Sequence, residues 1–221
     1  MSSGNNNPFI EELYDHAVQS GISDKCLFGE DSLNSYIDTA IDAYRDYVLF
    51  RHIFKGNYDE SVFSRMMSVD LRSRLGIMAG MAWRDDFESV MLVEPPGSRK
   101  TGMKDYFSVA RPEDLTLLLR PIMYRVENFE KFASDKRSPY LDDRTWYLYV
   151  FATQSSFKGM GYGKKLMDVL LSYVNRHGYR ICLETNDLDN VAMYEHFGFK
   201  TAGRSMYQNS LEHFNMLYDP V

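Results

Sequence analysis

The chain has 221 residues, 44% of them apolar, and a formal net charge of −6. That length favours one elaborated α/β domain over two, and an aromatic content that includes 16 Tyr and 14 Phe marks a chain that folds over most of its length. The acidic balance, with no dense Lys/Arg block and no basic arm, excludes the concentrated basic surface that nucleic-acid phosphates require.

Cys26 and Cys182 form no CxxC pair and imply no disulfide framework, which fits reduced cytoplasmic thiols. The five histidines, His16, His52, His177, His196 and His213, show no ligand-like spacing, so no metal is expected. The start MSSGNNNPFIEEL has no basic stretch followed by an apolar one, and no apolar run is long enough for a membrane span. The expected setting is therefore the cytoplasm, away from membranes.

Residues 1–8 read as a polar tail, followed by a short helix from Phe9 to Val18, so 1–24 stands apart from a domain over 25–221. Residues 32–50 carry Leu33, Tyr36, Ile37, Ala40, Ile41, Tyr44, Tyr47 and Val48 at helical steps and predict one amphipathic helix capped by Asp31 or Ser32. A second helix is predicted over 59–75 with Asp59 as cap. Two apolar runs, 76–83 and 89–94, flank Arg84-Asp85-Asp86 and predict a hairpin stopped by Pro95 and Pro96. The stretch 96–105, with Arg99, Lys100 and Lys104, reads as a loop. Residues 112–133 read as a helix that Pro121 breaks or kinks, and 134–144 as another loop. Then come a strand at 146–152, a helix at 163–177 closed by Gly178, a strand at 179–185, a helix at 188–197 closed by Gly198, and strands near 199–207 and 211–218.

The chemistry concentrates where the strand at 146–152 runs into TQSSFKGMGYGKKLM. Gly159, Gly161 and Gly163 let backbone approach a bulky anion without a Cβ in the way. The helix that follows offers unpaired N–H groups and a partial positive charge. Strand, glycine-rich turn and helix together make a diphosphate site, with Lys164 and Lys165 beside it. The spacing is not the GxGxxG of a dinucleotide site, and it is one residue short of a P-loop.

The segment FKGMGYGKKLM resembles the acyl-CoA-binding motif of the GNAT superfamily, [QR]xxGxG[AG], with Lys158 in the Gln/Arg place, Gly161 as its first glycine and Gly163 as its last. Downstream, LETNDLDNVAMYEHFGF resembles the second signature of that family, matched by Asn190, Tyr194, Gly198 and Phe199. Within the family the pattern is most similar to the puromycin acetyltransferase-like subgroup, through a Trp-led strand at 146 and Leu183-Glu184-Thr185. Two departures stand out: Lys158 replaces Gln or Arg, and Ser155 stands where many members have Pro. The strand expected before the first helix has only Lys25 to Gly29 as a candidate.

The resemblance implies an α/β (α+β) fold: a mixed, mostly antiparallel central sheet, splayed between the strands at 146–152 and 180–185 and flanked by helices. It implies acetyl-CoA as acyl donor, with pantetheine adding to the open strand edge through the main chain of Phe151, Ala152 and Thr153. Lys158, Gly159, Met160, Gly161, Tyr162, Gly163 and Lys164 would hold the diphosphate, and Asn190 would line the groove. Tyr194 takes the place of the acid that protonates the leaving thiolate. Glu184 is the candidate base, directly or through a water, with a structural hydrogen-bond acceptor as the alternative. The acceptor is a primary amine of a small molecule or peptide, and a homodimer is compatible with such folds.

The rival reading is a catalytically silent CoA-binding sensor. A hydrolase is disfavoured: no GxSxG elbow exists, and Asp31-Ser32 is explained as a helix cap.

Overall fold

The computed structural model describes residues 7–99 and 101–221; residues 1–6 of the expected tail and Lys100 of the expected loop lie outside the described residues. Six strands form one sheet in the order β1-β2-β3-β4-β6-β5. They are β1 (Ala79–Trp83), β2 (Ser89–Glu94), β3 (Thr145–Thr153), β4 (Arg180–Thr185), β5 (Lys200–Tyr207) and β6 (Leu211–Tyr218). Every neighbouring pair is antiparallel except β3 and β4, which matches the mixed sheet expected. That one parallel ladder runs from Thr145 opposite Arg180 to Leu148 opposite Leu183 and stops. Beyond it the strands part, leaving a fork between Tyr149–Thr153 and Glu184–Thr185.

One extra residue in β3, Tyr149, interrupts its pairing with Leu92 and Val93. A bulge of this kind re-aims the side chains beyond it. Before the bulge, Trp146 packs edge-on against Phe9 and Tyr173, while Tyr147 and Tyr149 face the other way and accept from Arg137 and Arg74. After the bulge, Phe151 returns to the Trp146 face and meets the start of α7 (Tyr162–His177). The rest of that face is covered by α1 (Pro8–Gln19), whose Leu13 and Ala17 are fully buried. The opposite face is covered by α2 (Leu33–Tyr44), α4 (Glu60–Ser73) and α6 (Pro121–Arg137).

Several elements differ from the sequence expectation. The helix α1 begins inside the expected tail, because the Asn7 side chain accepts from the Phe9 amide and Pro8 fills the first turn. The helix expected over 32–50 divides into α2 and α3 (Val48–Phe54), with Tyr47 extended between them. The apolar stripe runs through the break, but buried tyrosine hydroxyls need partners. Those of Tyr44 and Tyr47 find theirs on β3 and just past β4, which turns the chain. Ser32 sits at the start of α2, yet its hydroxyl donates to the Leu27 carbonyl at 2.6 Å instead of capping the helix. Asp59 does cap α4, accepting from the Val62 amide. Lys25–Gly29 forms no strand: a short 3-10 turn at Asp24–Cys26 leads to a lone bridge between Leu27 and Met81.

The segment between β2 and β3 is more ordered than a pair of loops. It holds α5 (Met103–Val109), a 3-10 turn at Asp114–Leu119, and α6, which Pro121 starts as a first-turn residue. Residues 134–137, expected as loop, continue α6, because the Arg137 guanidinium is fixed by Tyr147 and Glu184. Buried Asp114 pairs with Arg65 and Arg72 and ties the segment to α4.

Candidate active site

The fork, the turn after β3 and α8 (Leu188–His196) converge on Phe151. Alternation along an antiparallel strand sends the main-chain groups of successive residues to opposite sides. The Ala152 carbonyl accepts from the Ser89 hydroxyl and the Gln154 amide donates to Glu88, so both turn towards the β2 side. Phe151 and Thr153 therefore face the fork, and Ala152, expected to share that edge through its main chain, does not. The Phe151 ring lies 6.2 Å from that of Tyr194.

The turn has the form an anion cradle needs. Gly159 and Gly161 adopt φ of +80° and +79°, where a Cβ is strained. A Cβ at Gly163 would lie 3.1 Å from Phe151 Cζ and 3.2 Å from Thr153 Oγ1, so any larger residue would push these side chains aside where α7 starts beside the fork. The amides of Lys158, Gly159, Gly161, Tyr162, Gly163 and Lys164 meet no acceptor among the described residues, whereas Met160 and Lys165 donate to Phe157 and Gly161. Six free donors at a helix start suit a diphosphate. Lys158 and Met160 are exposed at the rim, Lys164 pairs with Asp168, and Lys165 lies over the Trp83 ring.

Tyr194 is buried, its hydroxyl makes no hydrogen bond among the described residues, and burial with Tyr44 and Tyr47 nearby pushes its pKa well above 10.0. It stays a protonated donor at neutral pH. Asn190, one turn earlier on α8, lies beside the Tyr47 hydroxyl.

Glu184 stands at the mouth of the fork, on the face that Tyr147 and Tyr149 share. Its Oε2 accepts from Arg137 at 2.7 Å and Tyr147 at 2.9 Å, and its Oε1 accepts from Asn215 at 3.3 Å, with His213 Nε2 at 3.5 Å. Burial works to raise this carboxyl, but His213, Arg137 and Tyr147 outweigh it and hold it below the usual value. Next to it, Asp70 accepts from Arg74, Tyr106 and Tyr149.

Glu130 on α6 completes the group. Its side chain is open to solvent yet set among protein atoms, and no hydrogen bond or ion pair reaches it among the described residues. Burial raises its pKa, Arg137 opposes that, and the Glu184 and Asp70 carboxylates add to it. Asp70 and Glu184 each have an arginine ion-pair partner, whereas Glu130 has none among the described residues. Sequence reasoning missed Tyr44, Tyr47, Arg137, His213 and Glu130. The one signal for the tyrosines was the three hydroxyls of Tyr36, Tyr44 and Tyr47 inside an otherwise apolar stripe.

The sequence profile of the Acetyltransferase (GNAT) family matches residues 123–199, from α6 through the glycine turn to the end of α8. Residues 123–199 of the chain match a GNAT-family domain. An uncharacterized N-acetyltransferase of Schizosaccharomyces pombe is 30% identical over 138 residues, 57% of this chain and 50% of that protein, so the chain spans about half the length of this curated relative. Among solved structures, a histone acetyltransferase HPA2 and related acetyltransferase from Corynebacterium glutamicum superposes with a TM-score of 0.58 at 16% identity, covering 88% of this chain and 96% of the other. Arylalkylamine N-acetyltransferase 2 from Aedes aegypti gives 0.55 at 13% identity, covering 87% and 96%. At such identities the likeness is one of fold alone, and it covers most of this chain. Among the described residues, no cluster of His, Cys, Asp and Glu could hold a metal ion, and no helix is long and apolar enough to cross a membrane.

Proposed function

We propose that this chain is an acetyl-CoA-dependent N-acetyltransferase that moves an acetyl group directly to a primary amine of a small molecule or peptide. One observation carries this reading: six unpaired amides at 158–164 adjoin a forked strand edge whose Phe151 and Thr153 main chains face inward. The amides take the diphosphate, and the strand edge takes the pantetheine amides as an added strand would. On this reading the Thr153 amide polarises the thioester oxygen. Tyr194 gives its proton to the departing thiolate and recovers one from the newly acylated nitrogen, which balances the transfer.

Glu184 serves as an anchor on this reading. Its oxygens are occupied and its pKa is lowered, both unfavourable for a base. Glu130 supplies the negative charge that attracts the acceptor as a cation, which gives one proton to solvent before its neutral nitrogen attacks the thioester. The reading is tested by calorimetry with acetyl-CoA and by thiol release over a panel of amines. Binding with release for at least one amine is expected. Binding without release for any amine would favour the silent sensor, and no binding would end the assignment.

A further inference from the structure

Two tyrosines from the α2–α3 corner occupy the two arms of the fork. On β3, Tyr44 Oη accepts from the Phe151 amide at 3.2 Å and donates to the Phe151 carbonyl at 3.3 Å. On the other arm, Tyr47 Oη lies 3.1 Å from Thr185 Oγ1 and accepts from the Asn186 amide at 2.8 Å. A strand edge enclosed in protein needs partners for its N–H and C=O groups, because leaving them unmade is costly. Tyr44 supplies both at once, and these are the same two groups that an added amide chain would use.

The corner between the two tyrosines is held only weakly. Only Arg45 and Asp46 lie there, both exposed, and their ion pairs with Glu60 and Arg51 are solvent-facing and worth little. Tyr47 has two partners at the end of β4 and faces Tyr44 at 5.7 Å between ring centres, so it can hold while Tyr44 swings.

We infer that Tyr44 is a positioning residue of the thioester groove: it holds the Phe151 main-chain pair in the free protein and gives that pair up to the pantetheine amides when acetyl-CoA binds. This rests on the acetyl-CoA reading above. Tyr44 is then a competitor built into the site, and removing its hydroxyl should help the ligand while harming the free protein. A purely structural tyrosine would harm both.

The experiment compares the full chain with Tyr44→Phe and Tyr47→Phe by calorimetry with acetyl-CoA and by thermal unfolding without it. Tyr44→Phe should lower the melting temperature of the free protein and tighten acetyl-CoA binding by about fivefold, the worth of roughly one net hydrogen bond. Tyr47→Phe should lower the melting temperature without tightening. Unchanged or weaker binding by Tyr44→Phe overturns the inference. Hydrogen exchange on the wild-type protein reads the same event without a variant. Acetyl-CoA should leave the Phe151 amide protected while protection of the Arg45 amide, which donates to Ile41, falls, and an unaltered corner counts against the inference. Wild-type protein that binds no acetyl-CoA sinks the function reading as well. Wild-type binding without the Tyr44→Phe gain sinks this inference alone.

Discussion

Replacing Glu184 by Gln separates an anchoring role from a basic one. The change keeps the shape of the side chain and removes its charge. Arg137, whose side chain is only 15% exposed, then faces a neutral amide at what was a 2.7 Å contact. Removing one partner of a buried ion pair costs about 3–5 kcal/mol, and the surviving hydrogen-bond partners put this case near the lower end. For a chain of this size about 3 kcal/mol corresponds to a fall of about 6–12 °C in melting temperature. The folded-state pKa of Glu184 lies below the ordinary 4.5, so its contribution is complete above that pH and is lost as pH falls through the lowered value. The gap between wild type and Glu184→Gln should therefore be full at pH 7 and shrink in acid below about pH 4.5. The assay is thermal unfolding of both proteins across pH, beside a pH–rate profile of kcat/KM for an amine found by thiol release. An anchor predicts the loss of stability with the acid limb of that profile in place. Unchanged melting with a lost acid limb would refute the reasoning and make Glu184 the base.

Three further substitutions probe the remaining roles. Tyr194→Phe should lower kcat by about a hundredfold with acetyl-CoA affinity unchanged, the signature of a lost general acid, read by steady-state kinetics and calorimetry. Gly161→Ala places a Cβ at φ +79° and should cost about 1–2 kcal/mol of stability while weakening acetyl-CoA binding, measured by unfolding and calorimetry. Glu130→Gln should raise KM for a cationic amine by about fivefold, the scale of a partly screened charge pair, and leave acetyl-CoA affinity alone. An equal effect on a neutral analogue would remove Glu130 from amine recognition.

What could be read from the sequence was local. The order of strands and helices after residue 145, the Asp59 cap, the Gly178 stop and the glycine turn all depend on residues within a few positions of one another. The glycine turn was legible because positive φ at Gly159 and Gly161 and close approach at Gly163 are demands that few other residues meet. The bulge at Tyr149 was not legible. Nothing in WYLYVFA marks which residue goes unpaired, because that depends on Leu92 and Val93 of another strand. The same limit hid the break at Tyr44: its partner is Phe151, and a helical stripe counts a tyrosine as apolar whatever its hydroxyl meets.

The acceptor side shows why this limit falls on specificity. The network there joins Asp70 of α4 to Tyr149 of β3, Arg137 of α6 to Glu184 of β4, and Asn215 of β6 to the same carboxylate. Apart from Glu184, none of these residues belongs to a motif, and each pairing joins elements far apart in the sequence. Donor binding reuses backbone geometry, which a short run of glycines can announce. Under the proposed function, recognition of an amine depends instead on which charge is left over once side chains from five elements have paired. With Asp70 and Glu184 paired to arginines, the proposed function assigns that charge to Glu130. A sequence change at Arg74 or Arg137 would move the excess without touching the glycine turn. The acceptor can thus diverge between chains that keep the same donor site.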